Sequence, residues 1–528
     1  MWPSSLHIRL SAGLAAGTVL WAGCDRARGT DPADTSTATV LIQADERLFG
    51  PYWSIDAWFL MFLPLVSIDA DGEIAPRLAA SWEHSDDYRT WTFYLQPDAR
   101  WHDGVPVTAH DVKFTIELAA HPEILFDDPW HDVDSIAVHD DTTLTIFYRR
   151  PKDARNTWMV YWPRHLLEGL DPGEFWEWDF WTEPVGNGPY RYVRHVPKTM
   201  VEVEANPDFY AGEPAIDRLI IQFGGATGIT ELLSGNVDVL TWVNQADLPK
   251  LAADPRFRVH HFMWPGVAWL EAIVWNHANA ALSDPRVRRA VTHAIDRREL
   301  LHLLNLPEDL RLVDVPFTGR QYRSAETPPA LAYDPELAGR LLDEAGWRDR
   351  DGDGLRERGS EALRFVTLLQ PGGAQEQTAV YLQHALRKVG VGIEIQTVER
   401  SILHDRIRTG GYDAAIVPLW NHVDGHLRSY GASAVTPGTP PEVTTPYGYV
   451  NAGVTRLLVD ARDTADPERI DSIYRELWPT LLTDLPITLL YPQVQTYVVH
   501  RRIRGLEGPH RSEPVMFMEH LWIEEPPQ

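Results

Sequence analysis

Apolar and polar positions repeat along this chain with two periods, and the switches between them mark out its elements. Trp91, Phe93 and Leu95 alternate with Thr92 and Tyr94, the period of a half-buried strand. Leu144, Ile146 and Tyr148 form a second alternating run able to pair with it. Between them, Asp103-Gly104 is a turn pair and Val105-Pro106 keeps the backbone extended before a helix start. Thr108 with Asp111 three residues on predicts a helix cap, and Val112, Thr115, Ile116 and Ala119 follow at helical spacing.

The second half of the chain carries longer helical patterns. Ser283 or Asp284 caps a helix with Pro285 in its first turn, and Val287, Ala290, Val291, Ala294 and Ile295 form one apolar stripe. Another helix starts at Asp334-Pro335, buries Ala338, Leu341, Leu342 and Ala345, and stops at Gly346. A third runs from about Glu376 through Ala379, Leu382, Leu386 and Val389 to Gly390, and leads into the strand Ile393–Ile395. Helices alternating with strands predict an α/β lobe.

The N-terminus changes the picture from fold to address. His7 and Arg9 precede an apolar run, Leu10 to Ala22, which is too short to span a bilayer. It ends at Leu20-Trp21-Ala22-Gly23-Cys24, and Cys24 is the only cysteine of 528 residues. The pattern resembles a bacterial lipobox, with Trp21 standing where leucine is usual, and implies a signal peptide over 1–23 and lipid attachment at Cys24. No twin-arginine pair precedes it, so Sec export is expected. Residues 24–38 are polar and aperiodic, a tether between lipid and fold.

One cysteine allows no intramolecular disulfide, so a core must hold the chain, and 44% hydrophobic residues supply one. The net charge of −27 argues against nucleic acid and against direct adhesion to anionic lipid.

The segment from Pro76 to Phe114, with its W-T-F-Y-L and R-W-H-D-G-V-P-V-T-A-H-D-V runs, resembles the signature of the family 5 extracellular solute-binding proteins, the oligopeptide/dipeptide-binding receptors of ABC importers. Pro184-Val185-Gly186-Asn187-Gly188-Pro189-Tyr190 is similar to that family's P-V-G-T-G-P-Y turn, with Asn187 in place of threonine. Asn206-Pro207-Asp208-Phe209-Tyr210, Leu233-Ser234-Gly235-Asn236-Val237-Asp238, the helix L-S-D-P-R-V-R-R-A-V-T-H-A-I-D-R and Asp484-Leu485-Pro486-Ile487 resemble four more of its landmarks, in family order.

The resemblance implies an α/β, two-lobed periplasmic-binding-protein clamshell (type II, cluster C-like) with an extra subdomain on the first lobe. The expected divisions are 39–75, 181–270 and 491–528 in lobe I, 76–180 in the extra subdomain, and 271–490 in lobe II. The hinge crossings are expected near Leu270 to Asn276 and near Pro486 to Gln493. The implied work is capture of a short peptide between closing lobes and delivery to an ABC permease, by an exported, lipid-anchored monomer. A receptor for another polar solute such as an oligosaccharide, or a ligand sensor for a signalling partner, would read the same way.

In peptide-binding members, an aromatic residue and then an aspartate follow a G-x-D-A-type strand, and the aspartate holds the peptide's amino group. Here Gly411-Tyr412-Asp413-Ala414 leads to Trp420 and Asp424, the aspartate one residue later than the family pattern. A carboxylate beside an ammonium group makes a strong charge-assisted bond. Trp53 and Trp58, in the loop after the first strand, and Asn276, beside the expected crossing, complete the candidate contacts.

No catalytic constellation is legible: G-x-S-x-G, H-E-x-x-H and a phosphate-cradling glycine loop are all missing, so the chain is read as a binding protein without enzymatic activity or cofactor. Asp349-Arg350-Asp351-Gly352-Asp353-Gly354 imitates the start of a calcium loop, but Ser360 stands where the twelfth-position glutamate is needed. It is read as a polar turn, and His260-His261, without spaced partners, as structural rather than metal-binding.

Overall fold

The computed structural model describes residues 36–42, 59–68, 74–121, 123–124, 132–152, 160–197, 199–223, 228–241, 243, 245–262, 268–317, 326–421, 429–430, 447–506 and 518–524. The larger sheets draw first on β1 (Thr37–Ile42), β2 (Ala79–His84), β3 (Thr90–Leu95), β4 (Val133–Asp140), β5 (Thr143–Tyr148), β6 (Tyr190–Val196), β7 (Met200–Ala205) and β8 (Arg218–Phe223). Further along come β9 (Val239–Leu240), β10 (Phe257–Phe262), β11 (Ala268–Trp275), β12 (Arg364–Leu369), β13 (Gly392–Thr397), β14 (Ala414–Asn421), β15 (Ile487–Pro492) and β16 (Gln495–His500).

These strands make three sheets. A seven-stranded sheet has the order β10-β16-β9-β1-β8-β7-β6, a five-stranded sheet the order β13-β12-β14-β11-β15, and a four-stranded antiparallel sheet the order β2-β3-β5-β4. The last is the hairpin stack read from the alternation: Trp91, Phe93 and Leu95 are buried, and β3 pairs with β5 in the register Phe93↔Leu144.

Helix α1 (Ala109–Ala119) follows β3 as the capping pattern predicts. Asp111 Oδ2 accepts from both the backbone N–H and the hydroxyl of Thr108, each at 2.8 Å, and Oδ1 accepts from the Arg164 amide at 2.9 Å. The acid therefore closes the helix start and pins the neighbouring segment in one move. Val112, Ile116 and Ala119 pack into the same core as β3 and β5.

The second lobe is a sheet between two helical layers. α2 (Pro285–His293), α3 (Arg297–Leu303), α4 (Pro335–Glu344) and α5 (Gly373–Arg387) share one core with Ile273 and Trp275 of β11. α6 (Arg400–Thr409), α7 (Ala452–Arg462) and α8 (Pro467–Asp484) share the other with Leu270, Ala272 and Val274. Neighbouring residues of β11 thus feed opposite cores, as a strand buried on both faces must. Asp284, not Ser283, caps α2, its carboxylate accepting from Arg286 N–H at 2.9 Å, and Asp334 caps α4 by accepting from Leu337 N–H at 2.8 Å. α5 begins at Gly373, three residues before the sequence pattern shows it, because Gly372 (φ 115°) turns the chain where no side-chain cap advertises a start.

The chain passes between the seven- and five-stranded sheets twice. It leaves β10 at Phe262 and enters β11 at Ala268, then leaves β15 at Pro492 and enters β16 at Gln495. Among the described residues no helix is long and apolar enough to cross a membrane.

Candidate functional site

Strand direction locates the site. β1, β8, β9 and β10 run parallel in the first lobe, and all end on the edge where Phe262 pairs with Gln495. β12, β13, β14 and β15 run parallel in the second lobe, and β14 and β15 end where β11 begins, at Asn421↔Ala268 and Pro492↔Leu270. The carboxyl ends of both sets therefore face the crossings, and with them one crevice between the lobes. Ligands of open α/β sheets bind outside the carboxyl ends of the strands, where the loops and helix N-termini present backbone donors.

The sequence-predicted residues distribute unevenly over this frame. Trp420 is the penultimate residue of β14, in backbone register with Trp269, on the crevice edge. Asp424 lies three residues beyond the end of β14, outside the described residues, as do Trp53 and Trp58 in the stretch that follows Ile42 of β1. Cys24 is also outside them.

Asn276 is placed elsewhere. It follows the last residue of β11, about 25 Å along the strand from the crossing at ~3.3 Å per residue. Its side-chain amide donates to the carbonyls of Tyr412 (2.6 Å) and Gly410 (3.2 Å), and its Oδ1 accepts from Ala278 N–H (3.0 Å). It lines an open surface depression of about 400 Å³ with Arg406, Tyr412 and Asp413, remote from the crevice. The extended apolar run read as a crossing is strand β11 itself, and the crossing precedes it.

The signature segment braces the P-V-G-N-G-P-Y turn. His102 Nδ1 accepts from Gly186 N–H (3.1 Å) and Nε2 lies 3.1 Å from Gly188 O, which fixes the proton on Nε2. Burial pushes this imidazole down to about 4, so it is neutral near pH 7. The amides of Asn187 and Gly188 both donate to Met61 O at 2.8 Å, and Asn187 Oδ1 accepts from Leu63 N–H at 2.9 Å. A Cβ on Gly186 would lie 1.9 Å from Met61 O, so only glycine permits this approach. The P-V-G-N-G-P-Y turn thus clamps 59–63, the residues directly after the stretch containing Trp53 and Trp58.

Sequence reasoning missed the polar group at the crossings. Glu271, the second residue after Trp269 in β11, is 2% exposed and accepts from Gln375 Nε2 (2.8 Å) and Gln493 Nε2 (2.6 Å). The signal was available: one acid inside the apolar run W-L-E-A-I-V-W. The acidic run is also placed: Asp349, Asp351 and Asp353 bring ligand oxygens within 4.8 Å of one another on the surface, and Asp349 accepts from Gly352 and Gly354 N–H, as in a polar turn.

The comparisons with known proteins meet this geometry. Residues 73–432 match the model of the bacterial extracellular solute-binding proteins, family 5. The chain belongs to that family. A Brucella ovis protein named as a candidate ABC transporter peptide-binding protein is 28% identical over 475 residues, covering 86% of this chain and 87% of the relative. The fold is similar to that of NikZ from Campylobacter jejuni, solved in complex with Ni(L-His), at a TM-score of 0.74 and 23% identity over 93% of this chain and 100% of that one. It is likewise similar to the oligopeptide-binding protein AppA of Bacillus subtilis, solved with a nonapeptide, at a TM-score of 0.70 and 21% identity over 92% and 98%. The two-lobed clamshell and the receptor class of the family follow from these matches.

Proposed function

We propose that this protein is the substrate-binding receptor of an ABC importer and captures short peptides in the crevice between its lobes. The observation that carries the reading is the pair of sheets whose parallel strands end face to face, joined by two short crossings. Such a joint lets binding free energy become a population shift toward a closed form that a permease can read. The names of the Brucella ovis relative and of AppA support peptide as the cargo.

Trp420 and Asp424 from the second lobe, with Trp53 and Trp58 from the first, are the proposed contacts, Asp424 holding the peptide's ammonium group. Export and acylation at Cys24 would hold the receptor beside its permease. The reading includes no enzymatic step and no second copy of the chain.

Thermal-shift screening of the mature protein tests the cargo, because a ligand bound only by the folded state raises Tm by mass action. Di- to nonapeptides are expected to raise it. Stabilisation by oligosaccharides or by nickel–histidine, with none by any peptide, would overturn the peptide assignment. Asp424→Ala should weaken peptide binding at least about tenfold, in line with a lost charge-assisted bond. Unchanged affinity removes that residue from the site. A Cys24→Ser protein should leave the membrane fraction, and one that stays there refutes the anchor.

A further inference from the structure

Among the described residues Glu271 is a buried carboxylate without a cationic partner, beside the crossings that join the lobes. No ion pair to it exists among the described residues, and its two bonds come from neutral carboxamides. The donors sit on different elements. Gln375 is in the first turn of α5, while Gln493 lies in the second crossing, with its own N–H on Trp269 O at 2.7 Å. β15 bulges opposite this position: Glu271 pairs with Tyr491 and Ala272 with Leu489, and the skipped Leu490 joins Tyr491 in the same core. Bulges of this kind re-aim side chains. Among the described residues, Glu271 is faced by Tyr491 from β15, Gln375 from α5, Gln493 from the crossing and, in register on β14, Pro418. Among the described residues, Tyr491, whose hydroxyl meets that of Thr378 at 3.1 Å, is the other titratable group in electrostatic contact with it.

We infer that Glu271 is a protonation switch on the crossings. With its carboxyl neutral, the arrangement in which Glu271 is buried beside the second crossing is favoured; with the carboxylate ionised, the chain favours an arrangement that admits water to the carboxylate. The physical reason is desolvation, since an ionised acid held only by two amide donors loses more hydration than they return. Burial accordingly raises its pKa, so the folded state binds the proton more tightly than the unfolded chain. The linked stability is present at acid pH and is lost as pH rises through the folded-state value. A proton on one oxygen also turns an acceptor into a donor, which obliges one glutamine to present its carbonyl instead. The switch is independent of what the crevice binds.

Small-angle scattering and thermal unfolding of the ligand-free mature protein, followed upward in pH from the ordinary glutamate range and compared with Glu271→Gln, test it. The wild type should expand across this range while the variant keeps the acid dimensions throughout. The variant's Tm should match the wild type at the acid end of the range and exceed it by at least about 2 °C once the wild type has lost its proton. A variant that tracks the wild type in both measurements would overturn the switch. Gln493→Leu removes one donor from the ionised form, so the wild-type transition should move to higher pH. A transition that stays where it was would contradict the inference equally.

Discussion

The two ends of the second lobe's sheet are fastened by different chemistry. At the end remote from the crossings, side-chain donors bond to fixed backbone carbonyls. Arg288 donates to Leu485 O (2.8 Å), Leu282 O (2.6 Å), Ser283 O (2.9 Å) and Asp484 O, His277 bonds Pro486 O (3.0 Å), and Asn276 holds Gly410 and Tyr412. Leu485, a non-glycine residue at φ 38°, is kept in the left-handed region there, capping α8. At the crossing end, Glu271 meets two glutamine side chains, groups that can rotate and exchange with water. One end is built to stay, the other to move.

That contrast makes unequal predictions. The largest concerns Arg288→Ala, which strips partners from several carbonyls and frees a strained residue. It should cost about 3 kcal/mol or more in denaturant unfolding, and a loss below about 1 kcal/mol would deny that this end is the fixed one. Acid comes next, with opposite signs at the two ends. Burial first, then the charge of Arg288, pushes His277 down to about 4. Between the unfolded value near 6.5 and about 4, the unfolded chain takes up the proton and the folded one does not. Stability contributed by His277 is therefore lost as pH falls through that window, whereas that from Glu271 is lost as pH rises. His277→Gln should flatten the acid side of a Tm–pH profile, and an unchanged profile would remove His277 from the account. The smallest effect is that of Asn276→Ala, about 1 kcal/mol for its backbone bonds with ligand affinity unaltered. A drop in affinity would bring the far end into the binding site.

Local chemistry was legible and long-range pairing was not. The Thr108–Asp111 cap, the Asp334 cap and the β3 alternation each need only a few neighbouring residues, and each stands as read. Whether Leu270–Asn276 is a crossing or a central strand depends on β14 and β15, 139 or more residues away across their pairs, and the apolar run alone is the same for both. The nearer cue was Pro265-Gly266, a turn pair just before the run. Asn276 stands away from the crossings for that reason, and the acid at Glu271, visible inside the apolar run, acquires its role only when Gln375 and Gln493 arrive beside it. The signature segment was legible as family but not as function. Its His102 acts through Gly186 and Gly188 on Met61, a relation that only the folded turn creates.

Ligand is expected to close the crevice by bending the crossings. Small-angle scattering of the mature protein, with and without a peptide that raises its Tm, addresses this directly. The saturated complex is expected to have a smaller radius of gyration than the free protein. An unchanged radius with peptide demonstrably bound would contradict it.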